Sequence, residues 1–547
     1  MIKTWMQKSG WLAAAALSVL LPIKTAQAAA ADLADRPLAT TNSGVVVRSN
    51  LMFVLDDSGS MNWDFLPDTA PTQDVCFGSS DRNFIFFNPA SKYPPPLYSD
   101  GTSMPNASFT AAWRDGFRGD AGGVVDLSQN NPDTPKVYGS VKSDNTSQTR
   151  TLCARNAPAC QLPTVNPDVS DSFNGTDTTT TTVTWERVNT PGMTCRNNVA
   201  NSCTVIRTTR VVVTAGRGGE FLWAERKPTA SLASCATTDF KVVRATDPLT
   251  AEQMDAYANW FSYYRTRMLS MRTGAGKAFA KIDDYRFRVG FSKISEYANG
   301  GADSTGFLNI RDYNSGTQKA DFFTRLYGTS GNFNTPLRQA LARAGRYYAN
   351  KLSGQTDPIQ YSCQRNYTIL STDGYWNEPT PLPVDINGNS GVGNPDGGST
   401  IERPMRDAVN NGAGVSNTLA DVAMYYYVND LRTDGLGNCT GAVANQNVCE
   451  NNVPSDNQRD TNTAQHMTTF TLGLGISGTL AYDKDYLTQT SGDFLAIRQG
   501  TKNWPDPIAN SGGERIDELW HADVNGRGVY YSANNADAMA ASFVDAL

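Results

Sequence analysis

Along much of this chain, unbroken apolar runs of strand length alternate with stretches of helical period. Residues 51–55 (Leu-Met-Phe-Val-Leu) are wholly apolar and stop on Asp56, the pattern of a central parallel strand buried on both faces. Thr250 and Gln253 have the spacing of a capping box. Met254, Tyr257, Ala258, Phe261, Tyr264, Met268 and Met271 then recur at helical spacing, which predicts one long helix with a buried stripe. Further strands are predicted at 286–291, 306–313 (an edge strand), 367–372, 468–474 and 528–533. Helices are predicted at 336–351, at 417–431 and from a cap at Asn534 or Asn535 to the last residue. The alternation is that of a doubly wound, Rossmann-like α/β domain.

One long interruption separates the first strand from the first helix. Residues 64–247 differ in composition and read as a β-rich insertion. A threonine run (178–182) leads into Val183, Trp185 and Val188. Cys195 and Cys203 then bracket a polar tip with turn residues Asn197, Asn198 and Asn201, and residues 204–214 alternate apolar and polar. This is the pattern of a disulfide-pinned β-hairpin. Two further stretches, 376–415 and 433–462, read as loop insertions rich in glycine, asparagine and proline.

Composition adds compartment. Lys3 and Lys8, an apolar stretch at 11–21 and Ala26-Gln27-Ala28 mark residues 1–28 as a secretory signal peptide. Nothing else is apolar for long enough to predict a transmembrane helix. The formal charge of −6 becomes −9 without Lys3, Lys8 and Lys24, and there are no basic blocks, so nucleic acid and anionic lipid are not expected partners. In an exported chain, the nine cysteines suggest disulfides by spacing: Cys153 with Cys160, Cys195 with Cys203, Cys439 with Cys449. The odd total leaves one thiol free or paired outside the chain.

Candidate chemistry gathers at strand ends. Asp56, Ser58 and Ser60 place a carboxylate and two hydroxyls at alternate positions, a set that suits a hard cation but equally suits a turn. Thr335 precedes Pro336 at a predicted helix mouth, and Asp373-Gly374 ends the 367–372 strand. In a parallel sheet such ends reach one edge. Asp-x-Ser-x-Ser, Thr before Pro-Leu, and Thr-Asp-Gly, in this order, resemble the von Willebrand factor A (vWA) domain. The resemblance implies that Asp56, Ser58, Ser60, Thr335 and Asp373 form a metal-ion-dependent adhesion site (MIDAS). There the three hydroxyls would bind Mg²⁺ (or Mn²⁺, Ca²⁺), the carboxylates would hold it mainly through water, and one coordination position would stay open to a partner's acid.

Longer phrases are similar to the amino-terminal part of the PilY family, type IV pilus tip adhesins and biogenesis factors called PilC in some species. They are the stretch from Ala258 to Arg267, Asp373-Gly374-Tyr375-Trp376-Asn377, Gln465-His466-Met467, and Leu519-Trp520-His521-Ala522 followed by Asn525-Gly526-Arg527-Gly528. The resemblance implies a vWA domain from residues 29–63 and 248–547, interrupted by the insertion at 64–247. It also implies export to the pilus tip or cell surface, or to the periplasm and outer membrane, with minor pilins and pilus tip proteins as partners. A host or abiotic surface ligand, bound through an acidic residue, would be a further partner. The family's carboxy-terminal β-propeller is not represented, and the chain stops inside a predicted helix without a glycine stop. The expectation is therefore the front part of a longer protein.

Other chemistry is thin. Asp385, Asn387 and Asn389 are spaced like a calcium loop, but Ser390 stands where glycine is needed and no glutamate follows, so an Asn/Gly turn is expected. The two histidines, His466 and His521, are expected to make structural hydrogen bonds, and no nucleophile elbow or Walker loop occurs. The expectation is a pilus-associated adhesion or assembly factor and not an enzyme. The alternative is a secreted scaffold whose metal only rigidifies loops, and a metal-dependent hydrolase ranks last.

Overall fold

The computed structural model describes residues 47–546 apart from 69–74, 130–135, 153–167, 174–176, 190–202, 219–220, 283–284, 297–302, 305, 375, 377–381, 457, 476 and 510–511. The predicted signal peptide therefore lies outside the described residues, as do Cys153, Cys160 and Cys195.

The chain enters through β1 (Ser49–Leu55), buried from Asn50 onward. It then makes a long excursion built from small antiparallel pieces. These are β2 (Ala112–Trp113) with β3 (Val124–Val125), a four-stranded sheet of β4 (Lys136–Leu152), β5 (Asp168–Phe173), β6 (Asp177–Asn189) and β7 (Cys203–Gly218) in the order β4-β7-β6-β5, and β8 (Trp223–Arg226) with β9 (Phe240–Val243). The expected hairpin is the β6–β7 pair, where Trp185 faces Arg207 and the guanidinium carbon lies 5.5 Å from the ring centroid. Its tip falls outside the described residues. At the root of the excursion Cys76 is bonded to Cys235, 159 positions away, a pairing that short spacing could not suggest. Cys439 is bonded to Cys449 as expected, and among the described residues Cys363 is free.

After the excursion come α1 (Ala251–Tyr263) and α2 (Arg267–Lys281). The single long helix predicted here is thus two. Thr250 makes the expected capping box with Gln253, but Thr266 caps a new helix by accepting from Leu269 N. The carbonyls left at the end of α1 are used by hydroxyls of α2, with Ser270 donating to Tyr264 O at 2.6 Å and Thr273 to Tyr263 O at 2.7 Å. Apolar spacing is blind to such a break, because both helices keep their buried faces on the same core.

The remaining elements are β10 (Phe287–Lys293), β11 (Phe307–Asp312), α3 (Gln318–Gly328), α4 (Leu337–Tyr348), β12 (Asn366–Thr372), α5 (Leu419–Val428), β13 (Thr468–Leu474), α6 (Asp493–Arg498), α7 (Glu514–Asn525), β14 (Arg527–Ala533) and α8 (Ala536–Ala546). Helices α3, α6 and α7 had not been read from the sequence. Pro336 is the cap of α4 and not its first residue.

Six strands form one sheet, in the order β11-β10-β1-β12-β13-β14, antiparallel only between β10 and β11. Alternation along β1 sorts the two cores. Leu51, Phe53 and Leu55 pack with α1, α2, α3 and α8, while Met52 and Val54 pack with α4, α5, α6 and α7. The result is a mixed α/β fold whose parallel strands are covered on both faces. Because β1 pairs with β12 in the register Leu55 to Ser371, Asp56 and Asp373 emerge side by side at the carboxyl edge.

Candidate metal centre

The site begins where β1 ends. Asp56 is fully buried, and its two oxygens have different tasks. Oδ1 accepts the backbone N–H of Ser58 at 2.7 Å, turning the loop, and Oδ2 accepts the Thr372 hydroxyl at 2.7 Å, fixing the loop to the end of β12. Burial raises the Asp56 carboxyl above the usual aspartate value, opposed by these hydrogen bonds.

Ser58 and Ser60 follow, with their hydroxyl oxygens 3.1 Å apart, and Ser60 donates to Asp373 Oδ1 at 3.0 Å. The 331–335 loop joins them through its backbone. Gly59 N donates to Phe333 O at 2.9 Å, and Asn332 N and Phe333 N donate to Asp57 O at 2.9 and 3.2 Å. A glycine is required at 331, since a Cβ there would lie 2.4 Å from Ser58 O. Thr335, 3% exposed, sits two residues beyond this pairing at the mouth of α4. The three predicted stretches, 56–60, 331–335 and 372–373, are therefore gathered at one sheet edge, with two hydroxyls and one carboxylate linked by direct hydrogen bonds.

Asp373 is 1% exposed. Burial, and then the charge of Asp56, push its carboxyl up to about 7. The Asp56 carboxyl, the Asp373 carboxyl that its charge raises, and the adjoining hydroxyls of Ser58 and Ser60 are hard oxygen donors whose negative charge a divalent cation offsets. The residues present fit such an ion.

One neighbour was not foreseen. Arg267, the first residue of α2, is 1% exposed and places Nη1 3.0 Å from Asp373 Oδ2. Nη2 pairs with Asp68 at the start of the excursion, and Nε donates to Phe65 O at 2.9 Å. Its guanidinium lies 4.7 Å from the Trp63 ring centroid and 5.3 Å from that of Phe65. Nearby, Trp63 and Phe333 are 43% and 55% exposed, so both loops of the site present an aromatic ring to solvent. Asp57 points elsewhere, accepting from Ser295 N and Oγ at the loop after β10.

The other sequence candidates are structural. Asp385 accepts from Asn389 N at 2.8 Å and from Asn389 Nδ2 at 2.9 Å, the expected Asn/Gly turn. His466 bonds Ala464 O and Asp460, and His521 bonds Met405 O, both rings being buried. Arg527 is occupied with the carbonyls of Val524 and Asn525. No helix among the described residues is long and apolar enough to cross a membrane.

No family model matches the chain. Among curated proteins it is similar to the type IV pilus biogenesis factor PilY1 of three Pseudomonas aeruginosa strains. Identity is 31% to that of strain PAK over 98% of this chain, 29% to that of strain PAO1 and 28% to that of strain UCBPP-PA14. The chain spans 40–41% of the length of these relatives. Among solved structures, the pilus adhesin SpaC from Lactobacillus rhamnosus GG in its open conformation aligns with 51% of this chain and 27% of its own, at 13% identity and a TM-score of 0.21. A second form of SpaC aligns at 15% identity and a TM-score of 0.22. Overlap that low carries no argument about the fold.

Proposed function

We propose that this chain, a PilY1-type sequence over 98% of its length, is the vWA-type portion of a type IV pilus factor that binds an acidic ligand through a divalent cation. The domain comprises residues 29–63 and 248–547, with 64–247 as an insertion beside the site. Asp56, Ser58, Ser60, Thr335 and Asp373 hold Mg²⁺ (or Ca²⁺ or Mn²⁺) as a MIDAS. The role is one of binding and assembly and not of catalysis. It is exercised after export, at the pilus tip or cell surface or in the periplasm and outer membrane, toward minor pilins, tip proteins or an attachment surface.

The observation that carries this reading is the backbone pairing of the Thr335 loop with the Ser58–Ser60 loop, next to a buried carboxylate already bonded to Ser60. The bound ion would supply the field that attracts a partner's carboxylate. The chain's own residues do the rest. Asp56 shapes the loop through Ser58 N and Thr372, the Ser58 hydroxyl lies beside that of Ser60, which in turn reaches Asp373, and the exposed rings of Trp63 and Phe333 offer apolar contact to whatever flanks the incoming acid. An under-neutralised hard cation among mostly neutral hydroxyls retains affinity for that acid.

The Asp373 pairs with Ser60 and Arg267 favour a second reading, a scaffold in which these bonds hold the loops and the metal adds only rigidity. One experiment separates the two. Asp56→Ala in the full-length protein is expected to abolish Mg²⁺ binding by calorimetry together with surface attachment or piliation. Loss of metal binding with attachment and piliation intact would leave the scaffold, and retained metal binding would remove the site itself.

A further inference from the structure

A second group of buried acids lies on the other side of the sheet, where α5 and α7 pack together beneath the glycine-rich loop 391–398. Asp421, in the first turn of α5, accepts Thr418 N through Oδ2 at 2.8 Å, and its Oδ1 has no donor. Asp396 comes from the loop. Its Oδ2 accepts Asn525 Nδ2 at 2.6 Å, and its Oδ1 also has no donor. The two carboxyl groups are within hydrogen-bonding reach of each other. Asn525, the last residue of α7, extends its Nδ2 to Asp396 and, at 3.4 Å, to Ala420 O, so its amide lies in the same cluster; its Oδ1 is unpartnered. All three residues are fully buried.

Two neighbours complete the surroundings. Glu518, 2% exposed, accepts Ala420 N at 2.7 Å through Oε1, and its Oε2 lies 3.5 Å from His521 Nδ1. His521 Nε2 lies 3.5 Å from Asp396 Oδ2 and donates to Met405 O. Burial resists a charge on this ring, while its contacts with Glu518 and Asp396 raise it to about 9. Asp407 stands apart, with both oxygens occupied by the N–H groups of Val409 and Val415.

We propose that Asp396, Asp421 and Asn525 form a second divalent-cation site, of the calcium class, separate from the one at Asp56. Three oxygens, one from the loop and one from each of two helices, are otherwise orphaned in the interior, where an unpaired polar atom is costly. A proton shared between Asp396 and Asp421 would satisfy those two and leave Asn525 Oδ1 unpaired. Calcium takes six to eight oxygens and satisfies all three, with room for backbone carbonyls of the loop.

The test uses the full chain carrying Asp56→Ala, so that the first site is silent whatever its role. Terbium luminescence and calcium-dependent thermal unfolding are expected to report one bound ion per chain that raises the unfolding temperature. Adding Asp421→Asn is expected to weaken calcium binding at least tenfold. Adding Asn525→Asp is expected to strengthen it, because a ligand gains charge. A chain that gains no stability from calcium overturns the proposal. So does an Asn525→Asp chain that is merely less stable and binds calcium no better, the outcome expected of a proton-sharing pair given another buried acid.

Discussion

Arg267 and Asp373, 106 positions apart, form an ion pair at 3.0 Å in which each side chain is 1% exposed. The guanidinium thus occupies one oxygen of a carboxylate assigned to the cation. Breaking a buried pair from one side costs about 3–5 kcal/mol, because the remaining charge is stranded. Arg267→Met is therefore expected to lower metal-free stability by about that much in denaturant titrations. The same change is expected to raise Mg²⁺ affinity, since the ion no longer competes with the arginine. Unchanged affinity would mean that the ion does not use Asp373.

The hydroxyls can be removed with little change of shape. Ser58→Ala and Thr335→Val are each expected to weaken Mg²⁺ binding by about tenfold or more, equivalent to about 1.4 kcal/mol. The unfolding temperature without metal should move little, because the loops are paired through backbone groups that neither change touches. Calorimetric titration beside a thermal melt separates the two effects.

The two described disulfides differ in the length of chain they close, 159 positions for Cys76–Cys235 and 10 for Cys439–Cys449. Loop-closure entropy predicts a stabilisation of about 5 kcal/mol for the first and about 2.7 kcal/mol for the second. Replacing each pair by serines and comparing denaturation midpoints should reproduce that order. Equal losses would point to strain or residual structure as the dominant effect.

Acid should weaken the fold at Asp460. Its Oδ2 lies 3.2 Å from His466 Nε2, and Tyr427 donates to Oδ1 at 3.3 Å. Burial works to raise this carboxyl, but the His466 interaction holds it below its usual 3.8. A carboxyl depressed in the folded state adds stability that is complete above 3.8 and is lost as the pH falls through the folded value. An Asp460→Asn chain is therefore expected to lose less stability than the unaltered chain between about pH 5 and about pH 3, measured by thermal unfolding.

What was legible in the sequence followed from apolar continuity and local caps. β1, β12 and β13 are each buried at all but one position, and the Thr250 box announces α1 within a few positions. The loops that meet at Asp56 could be chosen because parallel strands deliver their ends to a common edge. Arg267 could not. An arginine next to an apolar stripe reads as part of a solvated face, and its partners Asp68 and Asp373 are 199 and 106 positions away. Helix α7 was hidden for a related reason: Asp517, Glu518, His521, Asp523 and Asn525 are all buried, so the hydrophobic period that would signal a helix is filled with polar residues. The Thr266 cap and the Cys76–Cys235 bridge were lost to, respectively, an uninterrupted stripe and a long separation.

That bridge has a mechanical consequence. Tension running along the backbone from the residues before Cys76 to those after Cys235 crosses through the sulfur atoms and bypasses everything between them. Some 159 positions, roughly 500 Å of contour at full extension, stay slack while the rest of the molecule is pulled taut. Reduction would release that hidden length in a single step.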